Sequence, residues 1–128
     1  MPHHDRPISR LACQRLFAPL VGLPVSLGWR GHGSAILLEL GSLAMETDPQ
    51  GRTGARGEST IMIEWSWRVE AARSIAFGSW STDRRMDFAI PRLAGRVVAG
   101  IEVWGRLPEL AVELSGGLRL VSFMTEAA

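Results

Sequence analysis

Four glutamates stand in segments whose apolar residues alternate, and such carboxylates are suited to acid–base chemistry. They are Glu39, Glu64, Glu102 and Glu113. A pair of carboxylates facing a cavity can exchange protons with a substrate when burial raises the pKa of one of them. Each of the four, however, occupies the polar half of its alternating segment, where solvated charges belong. Glu64, Glu102 and Glu113 are therefore weak candidates for an enzyme site, and no residue is predicted to be catalytic.

The segment from Gly41 to Ser59 is rich in glycine and arginine, a composition that suits anion binding. Backbone N–H groups and the guanidinium groups of Arg52 and Arg56 are of the kind that bind phosphate. The segment lacks the G-x-x-x-x-G-K-[ST] and G-x-G-x-x-G patterns, so a mobile connection is the favoured interpretation and a phosphate cradle is the alternative. Because long loops in compact domains are often functional, Arg52 and Arg56 are candidate interaction residues.

Trp104 is the third candidate interaction residue, because it lies on the strand face opposite Val103, beside Glu102. An exposed tryptophan there is suited to anchoring a dimer or a ligand. The alternative is that a bent sheet or a helix covers both faces. Since about seven antiparallel strands leave edges to protect, we expect a homodimer.

No metal site and no cofactor are predicted. His3 and His4 are terminal, His32 stands alone, and Cys13 has no second cysteine with which to form an internal disulfide. The chain contains no H-E-x-x-H, paired C-x-x-C or EF-hand pattern.

Charge and composition bound the partners. The net charge of +1 provides no bulk field for nucleic acid or an anionic membrane. No apolar run approaches the roughly 20 residues of a transmembrane helix, and the start lacks a secretory signal, so we expect a cytoplasmic protein. All fourteen basic residues are arginine, and lysine, asparagine and tyrosine are absent. This bias indicates a GC-rich bacterial genome; an arginine-specific recognition surface is the alternative.

Arginines next to tryptophans keep a single-strand nucleic-acid binder open as an alternative, because bases stack on aromatic rings beside basic groups. Against it, the alternation places Trp29, Trp65 and Trp67 on core faces. Nucleic acid is therefore not the expected partner.

The elements that position these residues follow from periodicity. Helical spacing of apolar residues predicts an amphipathic helix over residues 8–18. Alternation from Val25 to Leu40 predicts a hairpin with a two-residue turn at His32 and Gly33. That turn pairs Trp29 with Ile36, Leu27 with Leu38 and Val25 with Leu40.

The middle of the chain predicts two strands and a loop. One strand has five apolar residues on one face between Ile61 and Val69, and the other spans about Arg73 to Trp80. Asp83 to Leu93 is expected to be a loop with room for one helical turn.

The last third predicts two more hairpins. In the first, Val103 pairs with Leu110, Ile101 with Val112 and Ala99 with Leu114. In the second, a three-residue loop over 115–117 pairs Leu114 with Leu118, Val112 with Leu120 and Glu113 with Arg119. This loop matches both faces, whereas a two-residue turn does not.

The segment W-S-W-R-V-E from Trp65 to Glu70 and the run from Gly105 to Phe123 resemble small uncharacterised bacterial β-rich proteins. The latter run also resembles the closing hairpins of some bacterial immunity-type proteins. The resemblance implies a bacterial origin and a β architecture, and it carries no functional residue across.

The sequence thus predicts one mainly β (α+β) domain over residues 1–128. We expect a frayed terminus over 1–7, a helix over 8–18, a β domain over 24–125 and a long loop over 41–59. The architecture is an antiparallel bent sheet or a partly open barrel of about seven strands, with a two-sheet sandwich as the alternative. We expect the protein to be a non-enzymatic binding or interaction module, with another protein as one candidate partner. The alternative is a small-ligand-binding barrel or an enzyme using strand-borne carboxylates.

Overall fold

The computed structural model describes residues 10–64, 66–106 and 109–123, where the chain forms two α-helices and ten strands. The helices are α1 (Arg10–Phe17) and α2 (Asp83–Ala89), followed by 3-10 turns at Ala18–Leu20 and Ile90–Leu93. The strands are β1 (Val25–Arg30), β2 (Ile36–Leu40), β3 (Ala44–Thr47), β4 (Thr53–Arg56), β5 (Ser59–Ile63), β6 (Trp67–Glu70), β7 (Ile75–Gly78), β8 (Val98–Trp104), β9 (Glu109–Leu114) and β10 (Leu118–Ser122). Within these ranges no helix has the length and apolar character needed to cross a membrane.

The strands form three antiparallel sheets, which confirms the predicted mainly β architecture. Their orders are β1-β2-β5, β7-β6-β10-β9-β8 and β3-β4. An isolated bridge between Pro24 and Val97 joins the first two sheets. The three-stranded sheet, the five-stranded sheet and the α2 segment contribute to one buried apolar cluster, in which Leu38, Trp67 and Ile90 are fully buried. Phe17 and Leu20 of the first helical segment are partly buried against this cluster. The eight strands therefore bend around one shared core.

The predicted strand from Ile61 to Val69 is wrong as one continuous element. β5 ends at Ile63 in the three-stranded sheet, and β6 begins at Trp67 in the five-stranded sheet. The Phe123 N–H donates to the Ser66 carbonyl, at 3.0 Å, where the chain changes sheet. Trp67 is buried as expected, and Trp65 lies outside the described residues.

The helix predicted over 8–18 is confirmed as α1 over residues 10–17. Residues 8 and 9, and the terminus predicted to fray over 1–7, lie outside the described residues. The segment expected to be a loop from Asp83 is instead α2 and its 3-10 turn. Thr82 caps α2 by accepting a hydrogen bond from the Arg85 N–H at 3.1 Å, and Met86 and Ile90 are buried. This cap and the spacing of the buried residues were a helix signal that the alternation test missed.

The structure confirms some of the predicted strand registers and contradicts others. All three pairs of the β9–β10 hairpin are confirmed, and its Gly117 has a φ of 83°. In β8–β9 a bulge puts Val98, not Ala99, opposite Leu114, while the other two pairs hold. In β1–β2 a bulge after Val25 shifts the pairing by one residue, so Trp29 lies opposite Leu37. Trp29 therefore faces away from the core, contrary to expectation.

The bulges belong to an internal repeat. Val25 N donates to the Arg96 carbonyl (2.7 Å), and Val98 N donates to the Leu23 carbonyl (2.9 Å). Gly22 N donates to the Val98 carbonyl, and Gly95 N donates to the Val25 carbonyl, both at 2.8 Å. Such reciprocal pairs are typical of two-fold related halves. Repeat one comprises α1, β1, β2 and β5; repeat two comprises α2, β8, β9 and β10.

The two repeats differ by an insertion. In repeat two a loop over 115–117 connects β9 directly to β10. In repeat one the equivalent connection, residues 41–58, carries the β3–β4 hairpin, which we call the arm. The segment predicted to be a long loop is thus largely this hairpin.

Candidate binding groove

A groove of about 630 Å³ lies between the arm and the face of the three-stranded sheet that points away from the core, which we call the outer face. Its floor is apolar: Leu27 and Trp29 come from β1, Leu37 from β2 and Met62 from β5. Trp29 and Leu37 share this face because the bulge in β1 places them directly opposite each other. Met62 is 57% exposed, so part of the floor is open to solvent.

The tip of the arm is held by Asp48. One carboxylate oxygen accepts hydrogen bonds from the Arg52 N–H (2.8 Å) and the Gln50 N–H (3.0 Å), and the other accepts from Arg52 Nε at 2.8 Å. The Arg52 backbone N–H is the main cause that lowers the pKa of Asp48. Gly51, with a φ of 84°, completes the turn. The Arg52 charge beside the groove is therefore matched within the arm.

The root of the arm is held by Glu39, which is fully buried. Its Oε2 accepts from Trp29 Nε1 at 2.8 Å, while its Oε1 accepts from the Gly57 N–H at 3.0 Å and the Thr60 hydroxyl at 2.5 Å. Burial by itself raises the pKa of Glu39. The three donors and the Arg56 charge outweigh it and lower this pKa overall. An ionised carboxylate thus ties the arm to β1 and β5.

Close approach of backbones also fixes the root. A Cβ on Gly57 would lie 2.4 Å from the Leu40 carbonyl oxygen, so only glycine allows the arm to return this close to β2. Nearby, Glu58 accepts a hydrogen bond from the Ser42 N–H at 2.7 Å, which links the two ends of the arm.

Arg56 lines the groove next to Trp29. Its guanidinium carbon is 4.9 Å from the centroid of the Trp29 ring, within the range of a cation–π interaction. Trp29 therefore joins two charges: its N–H binds the Glu39 carboxylate and its face contacts Arg56.

No protein-family model, curated protein sequence or solved structure matches this chain.

Three of the six predicted site residues line the groove: Arg52, Arg56 and Glu64. Arg52 and Arg56 are on the arm, whereas Glu64 directly follows β5, on the same strand face as Met62. Within the described part of the chain Glu64 has no ion-pair partner, so its charge is available at the groove edge.

The other three residues lie elsewhere. Glu113 and Glu102 flank Arg119 on the five-stranded sheet, with nitrogen–oxygen distances of 3.0 and 3.4 Å. Trp104 is half-buried at the end of β8. The structure therefore does not bring Glu102 or Glu113 together with Glu64.

Sequence reasoning placed Glu39 among solvated strand carboxylates and Trp29 in the core; both assignments are wrong. A signal was present, because the run Ile36–Leu40 is apolar at four of five positions, and such a run is typical of a strand buried on both faces. Among the described residues no group of three histidine, cysteine, aspartate or glutamate side chains is placed to hold a metal ion.

Proposed function

We propose that this protein is a non-enzymatic binding module and that its ligand occupies the groove beneath the arm. The volume of about 630 Å³ lies within the roughly 300–1,000 Å³ range of ligand sites. An apolar floor with a few polar groups at its edge is the usual composition of such sites.

The observation that carries this proposal is the exposure of Met62 on the groove floor. Leu37, its partner across β2 and β5, is only 8% exposed because it lies deeper. An apolar floor with an open end costs free energy in water, and a ligand that covers it recovers this cost.

The charges around the groove define the ligand further. Arg52 is paired with Asp48, and Arg56 lies next to Trp29 and Glu39. Glu64 is left to interact with the ligand. We therefore expect a ligand with an apolar part over Met62 and a basic group near Glu64.

For the alternative of an enzyme using strand-borne carboxylates, Glu64 is the one candidate of the three that lines the groove. Glu102 and Glu113 lie in the five-stranded sheet. A homodimer anchored by Trp104 also stays a prediction. Sedimentation of wild type and Trp104→Ala tests it, since an unchanged monomer–dimer balance removes Trp104 from the interface. A bacterial source and a cytoplasmic location likewise stay predictions.

Methionine methyl NMR tests the groove directly, with 2-naphthol as a neutral aromatic probe. We expect the Met62 methyl resonance to shift during titration, while those of Met86 in the core and Met45 on the exposed face of the arm do not. Met62→Glu should abolish binding, and Met45→Glu is the matched control. A Met62 resonance that stays fixed while others move would reject the groove as the binding site.

A further inference from the structure

β5 is an unpaired sheet edge. All five of its residues pair with β2 on one side. On its other side no backbone hydrogen bond from the described residues reaches it. In repeat two the equivalent strand, β10, pairs with β9 on one side and with β6 on the other. Among the described residues, no strand takes beside β5 the position that β6 takes beside β10.

Within β5 itself, three of the features that commonly protect a sheet edge are missing. Ser59–Ile63 contains no charged residue and no proline, and its pairing with β2 has no bulge. An edge of this kind readily accepts another strand. Because Met62 and Glu64 follow one another on its outer face, the groove opens directly onto this edge.

We propose that the β5 edge binds an extended segment of another protein as an added antiparallel strand. This inference rests on the proposed function, because a side chain of that segment next to Met62 would enter the groove. Main-chain hydrogen bonds would provide affinity, and alternate side chains would provide specificity, as in other cases of strand addition.

The β6–β10 pairing serves as the template for the added strand. There Val69 lies opposite Leu120, and Arg68 lies opposite Val121. By register, Leu120 corresponds to Ile61 and Val121 to Met62. The incoming segment should accordingly place a β-branched residue opposite Ile61.

Charge identifies the ends of the segment. Glu58 and Glu64 directly precede and follow β5. Glu64 lines the groove, and the Glu58 carboxylate, although it accepts the Ser42 N–H, adds a second negative charge at the other end of the strand. Basic residues at both ends of the incoming strand would lie opposite them. A second copy paired through all five strand residues would instead put Glu58 opposite Glu64 of that copy, twice. The charges therefore favour a foreign segment with basic ends.

Hydrogen exchange with a synthetic peptide tests this proposal. The capped peptide R-V-F-V-T-V-R places arginines opposite both glutamates, valine opposite Ile61 and phenylalanine beside Met62. At saturation we expect the exchange of the unpaired β5 amides to slow by about tenfold or more, while β10 amides are unchanged. Unchanged β5 exchange would overturn the proposal.

Peptide variants separate strand addition from simple charge attraction. Every second peptide residue can be N-methylated in two ways, which we call the two phases: the odd-numbered residues or the even-numbered ones. One phase should abolish binding and the other should leave it, because only one edge of an added strand pairs with β5. Equal effects of the two phases would overturn the proposal. Replacing both arginines of the peptide by glutamates should weaken binding by about tenfold.

Protein variants locate the charge and separate the two hypotheses. Glu64→Arg should weaken binding of the arginine peptide, whereas Glu46→Arg, on the exposed β3, should not. If 2-naphthol shifts the Met62 methyl but the peptide leaves β5 unprotected, the groove stands and strand addition fails. If β5 amides become protected at high protein concentration without peptide, a second copy occupies the edge and the foreign segment is rejected.

Discussion

The outer faces of the two repeats are built on the same bulged hairpin but differ in composition, since one of three equivalent positions is charged in repeat two and none is charged in repeat one. In repeat one, Glu39 lies between Leu27 of β1 and Thr60 of β5. In repeat two, Glu113 lies at the equivalent position between Gly100 of β8 and Arg119 of β10. In repeat one this face carries Trp29, Leu37 and Met62 beneath the arm. In repeat two the corresponding positions carry Glu102, Ala111 and Val121, without an arm.

The equivalent glutamates show what the insertion changes. The Glu39 side chain is fully buried and accepts three hydrogen bonds, whereas that of Glu113 is 40% exposed and has an arginine partner. The fold requires neither arrangement, since both repeats form the same strands. The arm and the exposed apolar face beneath it are therefore not needed to form these strands, which is consistent with the proposed binding groove.

Removing the arm should produce the largest effect. Replacing residues 41–58 by Ser-Gly-Gly, the loop of repeat two, gives β2 and β5 the connection that β9 and β10 already use. We expect a folded protein, by circular dichroism, whose affinity for 2-naphthol falls by about tenfold or more because one wall of the groove is gone. Unchanged affinity would mean that the arm does not form the site.

Replacing each of the two equivalent glutamates by alanine should lower the free energy of unfolding by different amounts. Glu39→Ala leaves the Trp29 N–H and the Gly57 N–H without an acceptor, so we expect a loss of about 3 kcal/mol in the free energy of unfolding. Glu113→Ala removes a solvated ion pair and should cost less than about 1 kcal/mol. Urea unfolding measures both, and equal losses would contradict the comparison.

These residues also show how far the sequence reaches. Alternation and face matching predicted the β9–β10 register, because that register pairs apolar residues with each other on one face and Glu113 with Arg119 on the other. The same test failed in β1–β2, where a bulge absorbs one residue and turns Trp29 outward. A bulge leaves the composition unchanged, so periodicity alone cannot detect it. The same bulge occurs in both repeats, after Val25 and after Val98, but it can be recognised only from the strand pairing in the structure.

The candidate site was predictable to a similar extent. Arg52, Arg56 and Glu64 were identified by type, and they do line one groove. What joins them is the arm folding over the outer face of the sheet, a tertiary contact between segments that the sequence shows only as a loop and two strands. Glu39 was missed because its burial depends on that contact.

Lowering the pH should reduce the difference in the free energy of unfolding between wild type and Glu39→Gln. Because the pKa of Glu39 is lower in the folded chain, its ionised form contributes stability above its unfolded value of 4.5. That contribution is lost as the pH falls through the folded pKa. We expect urea unfolding to show wild type more stable at pH 7 and the gap to shrink below pH 4.5. A gap that grows on acidification would mean that Glu39 is neutral in the folded protein.

The smallest expected effect distinguishes the arginine of each outer face. Arg56→Met removes the contact with Trp29 and a charge near the buried Glu39, and Arg119→Met removes the pairs with Glu113 and Glu102. Each should cost less than about 1 kcal/mol. Their salt dependence should differ, because the partners of Arg119 are solvated and therefore screened, whereas Glu39 is not. In 1 M NaCl, where the Debye length is about 3 Å, the cost of Arg119→Met should nearly vanish and most of that of Arg56→Met should persist. If both costs vanish together, the charge on Arg56 acts through solvent, and the two outer faces are electrostatically alike.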